Sequence, residues 1–158
     1  MGQISNYTFD EIGIGQTASY SRLITEKEVL LFAAATGDVN PAHLDAEFAA
    51  GSVFKERIAH GMLTGGVISA ALALVLPGPG TIYLGQSLRF ERPVKLGDEL
   101  TARLEVSAKR DDKGFVTLEC EVINQHGKTV ASGTAQVMAP KEKIIIDTPP
   151  EPRVAIEA

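Results

Sequence analysis

Asp38 and His43 are the two side chains of this sequence best placed to move a proton together. They lie five residues apart in the segment Gly37-Asp38-Val39-Asn40-Pro41-Ala42-His43. The ring of Pro41 pushes Asn40 out of the helical region, so the chain must turn between them. Asp38 then sits in a loop and His43 in the first turn of a new helix, and both can face one small volume. A carboxylate and an imidazole so placed can hold one water molecule. One takes its proton and the other supports the return of a proton to carbon, which is enough to add water across a polarised double bond. A plainer account uses the same spacing: Asp38 or Asn40 caps the helix starting near Pro41, and His43 is an ordinary first-turn residue. On spacing alone the plainer account carries more weight.

A second segment, Ala59-His60-Gly61-Met62, precedes the most hydrophobic helix candidate. A helix N-terminus presents unpaired N–H groups and a partial positive charge. Gly61 leaves its N–H uncovered, so a carbonyl oxygen that gains negative charge could bind there. The alternative is that Gly61 serves only a tight turn. His60 reads as a packing or locally bonded residue. Ser69, eight residues after Gly61, needs a partner for its hydroxyl: its own helix carbonyl four residues back, or a polar group of a site. His126, in a Gln-His-Gly turn, reads as a solvated loop residue. The sequence has no phosphate-binding Gly loop, no Gly-x-Ser-x-Gly elbow and no metal-ligand spacing.

The elements that must position these residues follow from patterning. Gly15 to Ile24 reads as a first strand. Thr25 to Glu28 forms a capping box for a short apolar helix over Val29 to Ala35, which Gly37 stops. A helix from Pro41 to about Ala50 follows. Met62 to Leu76 is a helix apolar nearly all round, which predicts full burial. Its Gly65-Gly66 pair predicts that another element approaches closely. Thr81 to Glu91, Glu99 to Lys109, Phe115 to Ile123 and Lys128 to Met138 read as strands joined by tight turns. Leu100, Ala102, Leu104, Val106 and Ala108 alternate onto one face. After Pro140 the chain becomes polar and proline-rich. We therefore expect a domain over residues 1–140 and an extended or disordered tail over 141–158. The order gives an α+β fold of two layers, a curved antiparallel sheet around one long helix. Its edge strands need cover, which predicts a symmetric dimer.

Composition narrows the function classes. At 158 residues the chain suits one domain that buries roughly 70% of its unfolded surface. The net charge of −5, the absence of Trp and the 6% aromatic content argue against a nucleic-acid partner. Cys120 is the only cysteine, so no intramolecular bridge or thiolate cluster can form and a reducing compartment fits. No signal peptide is apparent and no apolar run is long enough for a membrane span, so a cytoplasmic location is expected.

The segment Gly37 to His43, preceded by an apolar helix and followed by Asp45-Ala46-Glu47-Phe48-Ala49, resembles the signature of the MaoC-like (R)-specific enoyl-CoA hydratases. The similarity continues through Ile58 to Met62, Tyr83 to Phe90 and Pro93 to Asp98, and covers about Gly15 to Met138. The resemblance implies a hot-dog fold and a homodimer or dimer of dimers with sites near the interface. It implies that Asp38 and His43 are the catalytic pair around one water, that the Gly61 amide binds the thioester oxygen, and that Asn40 and Ser69 are supporting residues. The implied reaction is reversible syn hydration of a trans-2-enoyl-CoA to the (R)-3-hydroxyacyl-CoA, with no cofactor and no metal. Ala42 stands where the family carries a larger aliphatic residue, and the tail exceeds the family's core. Three rivals share the fold. A hot-dog acyl-CoA thioesterase needs a carboxylate on or near the central helix, and Met62 to Leu76 has none. A hydratase of a branched or dicarboxylic enoyl-CoA would differ in its acyl pocket. An acyl-CoA-binding module would lack the Asp–His pair.

Overall fold

Six strands of one antiparallel sheet curve around a single long helix in the computed structural model, which describes residues 2–157. The chain begins with β1 (Gln3–Ser5), a 3-10 turn (Phe9–Glu11) and β2 (Thr17–Leu23). Helices α1 (Glu26–Thr36), α2 (Pro41–Leu44), α3 (Ala46–Ala50) and α4 (Gly61–Leu74) follow. The strands β3 (Ile82–Gln86), β4 (Arg89–Phe90), β5 (Glu99–Arg110), β6 (Phe115–Ile123), β7 (Thr129–Met138) and β8 (Ile145–Asp147) complete it. The large sheet runs β2-β5-β6-β7-β3, with β4 also paired to β7. Thus the α+β, hot-dog arrangement is the observed one.

The sheet's inner face is built by strict alternation. Leu100, Ala102, Leu104 and Val106 on β5 and Val116, Leu118, Cys120 and Val122 on β6 are all buried. They share one cluster with Val67, Ile68, Ala71 and Leu72 of α4. Each large side chain so buried contributes roughly 1.5–3 kcal/mol of transfer free energy. Ala108, expected on the same face, is exposed. A register shift between Val106 and Ala108 adds a residue, and one extra residue turns the following side chains over.

Three further expectations are corrected. The helix expected from Pro41 to Ala50 is two helices, because Asp45 is extended (φ −116°, ψ 107°) and its carboxylate recaps the chain at Glu47 N and Phe48 N. The strand expected over Thr81 to Glu91 is β3 and β4 in series along β7. Between them the Ser87 carbonyl crosses so close over Gly133 that a Cβ there would lie 1.9 Å from it. Helix α4 is not buried all round. The sheet covers one side, while Met62, Gly66 and Ala73 are exposed and Ser69 half-buried along a stripe at helical spacing. An approaching element is found at Gly65, where Leu88 would lie 3.4 Å from an added Cβ. Among the described residues nothing lies within 4 Å of one at Gly66.

The segment after Pro140 packs on the domain. β8 pairs antiparallel with β1. Asn6, fully buried, donates to the carbonyls of Pro79 (3.0 Å) and Glu142 (2.8 Å) and accepts from Ile144 N (2.9 Å). Farther along, Glu151 forms an ion pair with Arg22 of β2.

Candidate functional site

Helix α1 delivers Asp38 to the site by the way it ends. Its start is a capping box, with Thr25 N donating to the Glu28 carboxylate at 2.8 Å. Its end is Gly37 at φ 81°, a left-handed conformation that favours glycine, with Gly37 N bonded to the Ala33 carbonyl at 2.8 Å. The chain reverses there, and Thr36 Oγ1 accepts from Asp38 N at 3.2 Å. The Asp38 carboxylate accepts from Asn40 N at 3.2 Å, and the Asn40 side chain accepts from Ala42 N at 3.0 Å. Asn40 is thereby the N-cap of α2, with Pro41 in its first turn. The capping role weighed for this segment belongs to Asn40.

His43 is held from two sides. Its Nδ1 lies 2.8 Å from the Ile58 carbonyl, which can only accept, so Nδ1 carries the proton and Nε2 is left to accept one. Arg57 Nε donates to the His43 carbonyl at 2.8 Å while its Nη1 pairs with Glu26 of α1 at 3.0 Å. This ties α2 to the start of α1. Ala59 N is bonded in turn to the Val94 carbonyl at 2.7 Å, which fixes the strip carrying Ile58 to the connection between β4 and β5.

His60 joins the pair. Its ring stacks on His43 with centroids 3.8 Å apart, and Phe32 of α1 packs on it at 4.7 Å. His60 Nε2 lies 3.0 Å from the Asp38 carbonyl oxygen. The ligating atoms of Asp38, His43 and His60 all fall within 4.8 Å of one another. That spacing fits a group bridged by one water, and it is also one that could hold a metal ion. The sequence carries no such spacing: His60 is 22 residues from Asp38 and reaches it only through the fold. Asp38 is exposed, His43 half-buried and His60 buried.

Gly61 is the first residue of α4, and its N–H has no backbone partner among the described residues. The Phe90 ring lies over it, 3.1 Å from where a Cβ would be. Ser69 makes no hydrogen bond to the group among the described residues. Eight residues along an α-helix amount to about 12 Å. Its hydroxyl makes no side-chain hydrogen bond among the described residues, so the back-bond to its own helix is not formed; it lies on the uncovered stripe of α4. Behind Phe32 an apolar cavity of about 580 Å³ opens between α1, β2 and α4, and Glu151, Pro152 and Val154 close one side. His126 lies exposed in its turn, as expected.

Known proteins are similar to this chain in sequence and fold. The family model described as "MaoC like domain" matches residues 9–128. The (R)-specific enoyl-CoA hydratase of Rhodospirillum rubrum is 48% identical over 134 residues, 84% of this chain and 91% of that protein. The unliganded R-hydratase PhaJ1 from Pseudomonas aeruginosa superposes with a TM-score of 0.93 at 54% identity, covering 98% of this chain and 99% of that one. The (R)-hydratase from Aeromonas caviae involved in PHA biosynthesis gives a TM-score of 0.79 at 46% identity, covering 82% of this chain and 98% of that one.

Proposed function

This chain belongs to the MaoC-like family, and from that premise we propose that it is an (R)-specific enoyl-CoA hydratase, a hydro-lyase acting on trans-2-enoyl-CoA thioesters. The observation that carries the reading is the gathering of Asp38 and His43 around His60, the residue that precedes Gly61 and its N–H without a backbone partner among the described residues. In this mechanism a water sits between the Asp38 carboxylate and His43 Nε2. The thioester carbonyl makes the β-carbon electrophilic, and attack by water creates an enolate oxyanion. The Gly61 N–H, at the positive end of α4, receives that oxygen. The water's proton passes to one member of the pair, and a proton returns to the α-carbon on the same face. The steps draw on protein groups and water. Asn40 supports the pair by capping α2 and bonding the Asp38 carboxylate through its own N–H. A thioesterase reading would want a carboxylate on α4, and Gly61–Leu74 has none.

A second copy of the chain would complete the site. Among the described residues strand β3 pairs only with β7, which leaves its outer edge free, and Ile82, Tyr83 and Leu84 are exposed on it. The stripe of α4 with Met62 and Ser69 is uncovered beside Phe90. We assign both surfaces to a homodimer in which Ser69 finds its partners. Among the described residues no helix is long and apolar enough to cross a membrane. A cytoplasmic setting agrees with one buried free thiol.

The test is direct. Purified protein incubated with crotonyl-CoA should remove the enoyl absorbance and yield (R)-3-hydroxybutyryl-CoA. Inactivity on short, long and branched enoyl-CoAs, with thiol released from a saturated acyl-CoA, would replace the reading with a thioesterase.

A further inference from the structure

We propose that His60 is a positioning residue that fixes Asp38 and His43 relative to one another; this rests on reading those two as the acid–base pair. The imidazole touches both. Its face stacks on the His43 ring at 3.8 Å, and its Nε2 donates to the Asp38 carbonyl at 3.0 Å. Phe32 also packs on the ring, at 4.7 Å and tilted by 45°, so the imidazole contacts both α1 and α2. As the residue before Gly61, His60 also joins the pair to the start of α4.

Packing does not account for a histidine here. The residue is 2% exposed, and its Nδ1 is a buried polar atom with no hydrogen-bond partner among the described residues. An unsatisfied buried nitrogen is a cost that a phenyl ring of similar shape would avoid. The bond from Nε2 to the Asp38 carbonyl is what offsets that cost. What the imidazole adds is one N–H, aimed at the backbone of the loop that holds Asp38. That loop is exposed, and the other side-chain bonds at Asp38 itself are of 3.2 Å, at its N–H and at its carboxylate. Small displacements of a reacting group lower rates steeply, about 100-fold for roughly 1 Å.

The experiment compares kcat, KM and melting temperature for crotonyl-CoA hydration in His60→Phe and His60→Gln. The controls are Asp38→Asn and His43→Ala. His60→Phe keeps both ring contacts and loses the donor. Its kcat should fall roughly 10- to 100-fold with KM little changed, while its melting temperature holds. His60→Gln restores an N–H where Nε2 stood, and should recover a clear part of the lost kcat despite losing the stack. A purely structural role gives the opposite pattern, with activity following the melting temperature and Gln no better than Phe. That result, or an unchanged kcat in His60→Phe, overturns the proposal. Active Asp38→Asn and His43→Ala proteins would instead overturn the acid–base reading beneath it.

Discussion

Asp38→Asn is the most informative single substitution, because it deletes a charge while keeping the side chain's shape. The amide oxygen can still accept from Asn40 N, now at 3.2 Å, so the loop should persist. We expect kcat to fall by at least about 100-fold, the lower range for lost acid–base help, with the melting temperature near that of the parent. Steady-state kinetics beside a thermal melt check both halves. Cys120 gives a pH prediction. Burial pushes its thiol from an ordinary 9.0 up to about 11, against smaller opposing bonds from Gln86 and Ala135. The folded state disfavours the thiolate, so this contribution to stability is full below about pH 9 and is lost as pH rises toward about 11. The native thiol should therefore resist iodoacetamide at about pH 8 and react once unfolded, as mass spectrometry of the labelled protein would read. Asp38, Asn40 and His43 are legible in the sequence because Pro41 forces a local turn. His60 is not, since its contacts reach back 17 and 22 residues and exist only after α1, α2 and α4 have packed.

Among the elements, the join between β3 and β4 tolerates least change. Any Cβ at residue 133 meets the Ser87 carbonyl, which is backbone and cannot swing aside. Gly133→Ala must part β7 from this join, at a cost of roughly 1–3 kcal/mol or more. Urea unfolding should show a lower midpoint. The same shift would move Phe90 off Gly61, so the KM for the thioester should rise. Periodicity revealed β5, β6, β7 and α4 because each alternates or repeats over nine or more residues. It missed the break at Asp45 and the bulge before Ala108. Both are local hydrogen-bond choices inside a run whose composition continues unchanged. The uncovered stripe of α4 escaped it for another reason: an apolar residue reads alike whether it faces its own sheet or a second chain.

On the scale of the whole molecule, the free edge of β3 makes the assembly testable. Leu84→Arg places a charge on that edge, where charged side chains block strand pairing. Light scattering after size exclusion should give a mass near twice 16.8 kDa for the parent and a lower mass for the variant. A parent at the single-chain mass would remove the dimer from the mechanism. The overall plan was readable from element order, but the packing of residues after Pro140 was not. Prolines and charges predict an extended chain and say nothing of what it lies on. That packing also sets an order of events. Gln3–Ser5 finds no strand to pair with until Ile145–Asp147 has been made, and the carbonyl and N–H that satisfy buried Asn6 come from the same late stretch. During synthesis, then, the beginning of the chain must wait open until nearly the whole sequence has been made, and its pairing closes a loop that encloses the sheet, the helix and the Asp–His pair.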